Sequence, residues 1–308
     1  MIGIGRGRAW RTLGVWGLAA SLMTGPAWGW GRLGHRVAGR IAEDRLTPAA
    51  RAAVAGLLAP GESLADVSTW ADDYRRDHPE SGPWHYINIP ITEPRFDPKF
   101  VPKEGCVVTK VDEFRKVLAD PNAPRADRID ALKFLAHFLQ DLHQPVHVGH
   151  RDDRGGNQMQ VQFFGQGSNL HRVWDSGLLE KSGRAEGDYV AALEKAITPD
   201  LADAWSRGGA AEWADESLEL ARKAYRNPID GKEMRSGSKL DHPTRTPTSP
   251  MPSGGCPRPA SGWPGSSTIS SNDGDPDPSP VSRASGSTRP ARPAGSWTPR
   301  ACGAGSRG

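Results

Sequence analysis

A mainly α fold, a single helical domain with one small β-hairpin, is predicted for residues 30–235 on three observations. Ile129, Leu132, Leu135, Ala136 and Leu139 recur at helical spacing in the most apolar segment of the chain. Thr47-Pro48 reads as a helix start, a hydroxyl cap followed by proline at the first helical position. Apolar–polar alternation is confined to one stretch, Gln158-Met159-Gln160-Val161-Gln162-Phe163, directly behind the turn residues Gly155-Gly156-Asn157.

Taken in order, a first helix opens behind Gly34 over 35–42, and a second runs from Pro48 to 57. A third, over 64–75, carries Trp70-Ala71-Asp72. Between Pro83 and Pro90 the residues His85, Tyr86, Ile87, Asn88 and Ile89 read as extended chain, and a loop follows over 92–105. Helices are expected at 109–118 and 128–142, then the strand or hairpin from 158. Helix resumes near Leu170 and over 189–197, 201–206 and 211–225. There is no internal repeat.

The two ends differ from this middle. Arg6, Arg8 and Arg11 precede an apolar run over 13–23, and Ala27-Trp28-Gly29 puts small residues at −3 and −1, so residues 1–29 read as a signal peptide cut after Gly29. The run is too short and too rich in glycine for a membrane span, so no membrane anchor is expected, and export makes the mature protein secreted or periplasmic. Residues 236–308 hold 13 Pro, 11 Gly and 15 Ser, over half of the segment, and are expected to be disordered.

Charge and cysteine content exclude some classes. Removing the three leader arginines and the tail's eight basic and four acidic residues leaves 28 basic against 32 acidic positions. A net −4 middle is not a basic groove for nucleic acid, so an anionic substrate needs positive charge from elsewhere. Cys106 is the one cysteine of the foldable part, with Cys256 and Cys302 in the tail, so this is no disulfide scaffold.

Histidine and aspartate are placed unusually. His137 and Asp141 are an i, i+4 pair that leaves one helix face a turn apart, and His171 and Asp175 are a second. His147 follows Gln144-Pro145, where the chain should turn back. One such pair more often marks a solvated face; two, with a histidine turn, point to a metal site. Asp72 and His85 join it only through the fold. Nitrogen and oxygen donors without thiolate suit zinc or a similar borderline ion. Cutting after Gly29 also frees the Trp30 α-amine, a further donor, five residues ahead of His35.

Trp30-Gly31-x-x-Gly34-His35, Trp70-Ala71-Asp72, His137-Phe138-x-x-Asp141-x-x-Gln144-Pro145-x-His147, Gly155-Gly156-Asn157 and Asn169-Leu170-His171-x-x-Trp174-Asp175 together resemble the S1/P1 nuclease family. The match runs in order to about Asp175 and more weakly to Tyr225. The resemblance implies the phospholipase C/P1 nuclease fold and three Zn²⁺. One zinc would take Asp72, His85, His137 and Asp141; a second the Trp30 amine and carbonyl with His35 and shared Asp141; a third His147, His171 and Asp175. It implies an endonuclease acting on single-stranded DNA and RNA to give 5′-phosphorylated products, with 3′-nucleotidase activity; no protein partner is predicted. By the same resemblance Arg75 steadies the leaving group and Tyr86 stacks a base. Asn88 stands where the best-known fungal members have an aspartate that orients the attacking water; an amide accepts a hydrogen bond but takes no proton, so a lower rate or shifted pH optimum is expected. His78, His143 and His150 match no ligand position, though His150 lies in a loop near the site.

Two alternatives stand beside this reading. A zinc-dependent phospholipase C has a similar fold and ligand types, but its first histidine lies farther from the N-terminal tryptophan and its third site ends in glutamate. A catalytically compromised zinc-binding protein is the other. After Tyr225 a family member supplies another long packing helix, whereas this chain dissolves into Ser, Pro, Arg and Gly from about Asp241. A frameshift would account for that, since codons one frame over permit an Ala/Leu-rich helix across 242–258.

Overall fold

A computed structural model describes residues 31–240; the leader, Trp30 and the tail beyond 240 lie outside the described residues. The expected mainly α architecture is present. Helix α1 (Arg32–Asp44) starts three residues earlier than predicted, capped by Gly31. Its buried face includes His35, Val37, Gly39 and Ile41. Helix α2 (Pro48–Leu57) is capped as read: the Thr47 hydroxyl accepts from Ala50 N–H at 3.1 Å.

The helix predicted over 64–75 is broken in two. Helix α3 (Leu64–Val67) begins in a Ser63/Asp66 capping box, and α4 (Trp70–Asp77) restarts after Ser68-Thr69. Ser68 turns its hydroxyl back to Ala65 O at 2.8 Å, and its own carbonyl receives the His137 imidazole instead of a helical N–H. That competition for the backbone ends a helix without any proline or glycine. Pro79–His85 forms a 3₁₀ turn, and β1 (Ile89–Pro90) follows.

Helices α5 (Val107–Ala119) and α6 (Arg125–Leu142) form the heart of the core. Phe114 stacks on Phe134 at 4.5 Å between ring centres, and Phe138 continues the stack. From Phe134 to Leu142 every residue of α6 is buried, so its polar members sit inside the protein. The Gln144-Pro145 turn is as predicted: α7 (Pro145–Val148) leads into β2 (Gly149–His150), which pairs parallel with β1 in the register Ile89–Gly149 and Pro90–His150.

The expected hairpin is β3 (Gln160–Phe163) and β4 (Gln166–Asn169). Helix α8 (Leu170–Arg172) passes through a π-helical turn (Val173–Gly177) into α9 (Leu178–Ser182). Helices α10 (Glu186–Ala196), α11 (Pro199–Ser206) and α12 (Ala210–Ala224) complete the helical set among the described residues. The order reaches past the boundary expected after 235. Strand β5 (Ser238–Lys239) pairs parallel with β3, and Leu240 N–H donates to Gln162 O at 2.7 Å. Ser-Gly-Ser reads as linker because side chains carry that reading, whereas strand pairing needs only backbone.

Gly39 sets how closely α1 crosses α3. A Cβ there would lie 2.8 Å from Leu64 O and 2.9 Å from Ala65 Cα, both backbone atoms. Gly39→Val is expected to cost about 3 kcal/mol through overpacking. Thermal denaturation should show a drop of about 5–10 °C; an unchanged midpoint would mean that the crossing yields freely.

Candidate metal centre

His137 and Asp141 leave the same face of α6, one turn apart, and both are fully buried. Asp141 is the meeting point. His85 Nδ1 lies 2.9 Å and His137 Nε2 3.0 Å from its Oδ2. His147 Nδ1 and His35 Nε2 lie 3.4 and 3.6 Å from its Oδ1. Three buried groups have ligand atoms within 4.8 Å of one another: His35, His137 and Asp141; Asp72, His85 and His137; and His147, His171 and Asp175. All eight candidate ligands within the described residues are therefore brought together, and Trp30, the ninth, lies outside them.

Each side chain arrives for a local reason. His35 stands in the first turn of α1, where Gly31 N–H donates to Asp175 O at 2.7 Å. Asp72 comes from the restarted first turn of α4. The extended chain behind the 3₁₀ turn alternates, with His85, Ile87 and Ile89 buried and Tyr86 and Asn88 exposed. Ile87 N–H donates to His147 O at 2.8 Å, so one segment supplies a candidate ligand on one face and a cavity wall on the other. His171 and Asp175 straddle the start of the π turn, with Nε2 and Oδ2 3.0 Å apart. Such one-residue bulges recur at functional sites because they re-aim a side chain within a helix.

The residues fit a metal centre by what holds them. His137 Nδ1–H donates to Ser68 O at 2.7 Å, His147 Nδ1–H to His85 O at 3.0 Å and His171 Nδ1–H to Gly155 O at 2.7 Å. The Gln140 amide donates to Ala136 O, so its Oε1 accepts from His35 Nδ1–H at 2.8 Å. Four imidazoles are thus fixed in the tautomer that turns an Nε2 lone pair toward the carboxylates, the pattern that orients metal-binding histidines. Meanwhile His35 Nε2, Asp72 Oδ1, His85 Nε2 and Asp141 Oδ1 are buried with no hydrogen-bond partner among the described residues. Orphaned donor atoms of this kind are costly unless a cation satisfies them.

Protonation follows the same lines. Burial holds His35 well below the usual imidazole range and His85 at about 3, so both present lone pairs. Burial raises the Asp72 carboxyl to about 6. Burial also opposes charge on Asp141 and His137, but their mutual attraction outweighs it, holding the carboxylate ionised and the imidazole up at about 9. A cation entering here has to displace the His137 proton.

A cavity of about 450 Å³ opens over the groups, lined by His85, His147 and His171 and by Arg75, Tyr86 and Asn88. Tyr86 is 40% exposed; Arg75 Nη2 lies 3.3 Å from Asp72 Oδ1. His150 lines the cavity too, from β2, without joining a group. His78 stacks on Tyr74, and His143 Nδ1–H donates to Leu139 O. Sequence reasoning missed the supporting atoms: Ser68, Gln140, Gly155, and Gln144, whose amide donates to Asp175. Gln144 and Gly155 lay inside matched motifs, whereas a carbonyl such as that of Ser68 leaves no sequence signal.

Comparison with known proteins adds an independent finding. The family model described as S1/P1 Nuclease matches residues 30–243. Endonuclease 2 of Arabidopsis thaliana is 34% identical over 202 residues, 61% of this chain and 67% of that protein. Nuclease S1 of Aspergillus oryzae is 32% identical over 178 residues, 54% of this chain and 60% of that protein. Nuclease P1 of Penicillium citrinum is 31% identical over 165 residues, covering 49% and 59%.

Proposed function

The chain belongs to the S1/P1 nuclease family, a family of hydrolases acting on phosphodiester bonds, and from that premise we propose that it is a zinc-dependent endonuclease. Its substrates are single-stranded DNA and RNA, cut to 5′-phosphorylated products, and 3′-nucleotides, which it dephosphorylates. The observation that carries this is the set of three buried His/Asp groups, two of which present histidines (His85 from one, His147 and His171 from the other) to a single cavity. One zinc would be held by Asp72, His85, His137 and Asp141, a second by the Trp30 amine and carbonyl with His35 and Asp141, and a third by His147, His171 and Asp175. When bound, these ions supply Lewis acidity toward phosphate oxygens and make water acidic enough to react near neutral pH.

The chain's own residues do the rest. A middle of net −4 offers no basic groove, so most of the positive charge facing the scissile phosphate would have to come from bound cations. Arg75, paired with Asp72 at the cavity wall, steadies charge on the departing oxygen. Asn88 would orient the attacking water through its amide oxygen without taking a proton from it. Tyr86 presents an exposed ring to an unpaired base; duplex bases are already stacked and gain nothing there. Export after cleavage at Gly29 would free the Trp30 amine, and Gly31, next in the chain, is fastened by its N–H to Asp175 O.

The test is cleavage of single-stranded against double-stranded DNA, with phosphatidylcholine as the competing substrate. Nucleic-acid cleavage confined to single strands is expected; hydrolysis of the lipid alone would replace this reading with a phospholipase C. Metal analysis with N-terminal sequencing should give three zincs per chain and a Trp30 terminus. Tyr86→Ala should raise KM for single strands about 10-fold, in line with the loss of one base stack; an unchanged KM would remove stacking from the account.

A further inference from the structure

The loop from Arg151 to Asn157 carries a run of left-handed backbone: Asp152 at φ 57°, Arg154 at 58°, Gly155 at 62° and Gly156 at 80°. The two glycines are accounted for. A Cβ at 155 would lie 2.3 Å from Val146 O and one at 156 would lie 3.1 Å from His171 N, while Gly155 O holds the His171 ring. Asp153 anchors the turn, its Oδ1 accepting from Gly156 N–H at 3.0 Å and from the buried Tyr225 hydroxyl at 2.7 Å. Nothing in this scaffold calls for arginine at 154. Left-handed backbone disfavours any side chain but is open to glycine.

Arg154 nevertheless lines the cavity and is exposed. The other loop arginine, Arg151, pairs with Glu233 at 2.9 Å, and Arg75 across the cavity pairs with Asp72. Arg154 makes no ion pair among the described residues; its backbone carbonyl accepts from the Asn157 side chain at 2.9 Å. A strained residue with an uncommitted guanidinium, one position from the glycine that holds His171, is placed for an anion arriving alongside the His/Asp groups. Guanidinium is also the group that grips phosphate through paired hydrogen bonds.

We infer that Arg154 binds the phosphate neighbouring the one being cleaved, so that the site favours a polynucleotide over a mononucleotide. This rests on the proposed nuclease reading and deepens it. The test uses the mature, metal-loaded protein and two variants. Arg154→Gly removes the charge and relieves the backbone; Arg154→Lys keeps the charge. Binding of a cleavage-resistant single-stranded oligonucleotide is followed by fluorescence anisotropy across a salt series, beside KM for an oligonucleotide and for a 3′-mononucleotide.

Arg154→Gly should weaken oligonucleotide binding about 5- to 10-fold at low salt and flatten the log–log salt slope by about 0.7, the value for one single-strand phosphate. The ratio of oligonucleotide to mononucleotide KM should rise by a similar factor. Its melting temperature should stay level or increase, and Arg154→Lys should restore most of the slope. An unchanged slope overturns the inference, as do the two KM values rising in proportion, or a fall in melting temperature with both substrates lost. A parent protein that cleaves neither substrate would refute the nuclease reading instead, and the binding slopes would still decide on Arg154.

Discussion

Asp141→Asn is expected to lower nuclease activity by far more than 100-fold and to cost the protein bound metal. Four imidazoles approach this one carboxylate, two on each oxygen, between 2.9 and 3.6 Å. Both proposed zincs of the shared pair would draw on this carboxylate. An amide of the same shape offers one weak acceptor and no charge, and its NH₂ would face imidazole lone pairs already aimed inward. Loss of groups that merely orient metal ligands typically costs 10–100-fold, so loss of a shared ligand should exceed that. The metal-free variant should also lose about 3–5 kcal/mol, because the charge that holds His137 protonated is gone from a fully buried site. Metal content and steady-state rates check it together, with Asp112→Asn, an exposed acid of α5, as control. Activity within tenfold of the parent would sink the shared-ligand assignment.

Metal removal should have the second large effect. Asp72, Asp141 and Asp175 are packed with five histidines as buried groups beneath the cavity, and four of their donor atoms have no hydrogen-bond partner among the described residues. Ions that bind only the folded state add their binding free energy to its stability. Each at a hundredfold excess over its dissociation constant contributes about 2.7 kcal/mol, and three such ions about 8 kcal/mol. For a chain of this size, chelation should lower the melting temperature by about 15–30 °C, and zinc should restore it. A melting temperature that holds after verified removal of metal would mean that the groups stand without it.

Much of the candidate site was legible because its spacing is local. His137 with Asp141 and His171 with Asp175 read as pairs on one helix face, and the segment around His85 reads as extended chain, while which of its residues are buried emerged only in the fold. Asp72 was reachable only through the family resemblance, since no local pattern ties α4 to α6. What escaped is backbone: the break after Val67, the π turn holding Asp175, the two-residue β1–β2 ladder and the strand at Ser238–Lys239. All are decided by where a carbonyl or N–H finds its partner in the folded chain. That choice is made by tertiary contacts and has no residue type of its own.

The bond between Tyr225 and Asp153, with β5 laid against β3, also sets an order of events. Residues that orient His171 are fastened by partners some seventy positions later in the chain. A growing polypeptide can pack α5 on α6 early, through contacts close in sequence, but must wait for its last described strand before the 151–157 loop is secured. The first two His/Asp groups can therefore assemble while synthesis continues, and the third is completed last.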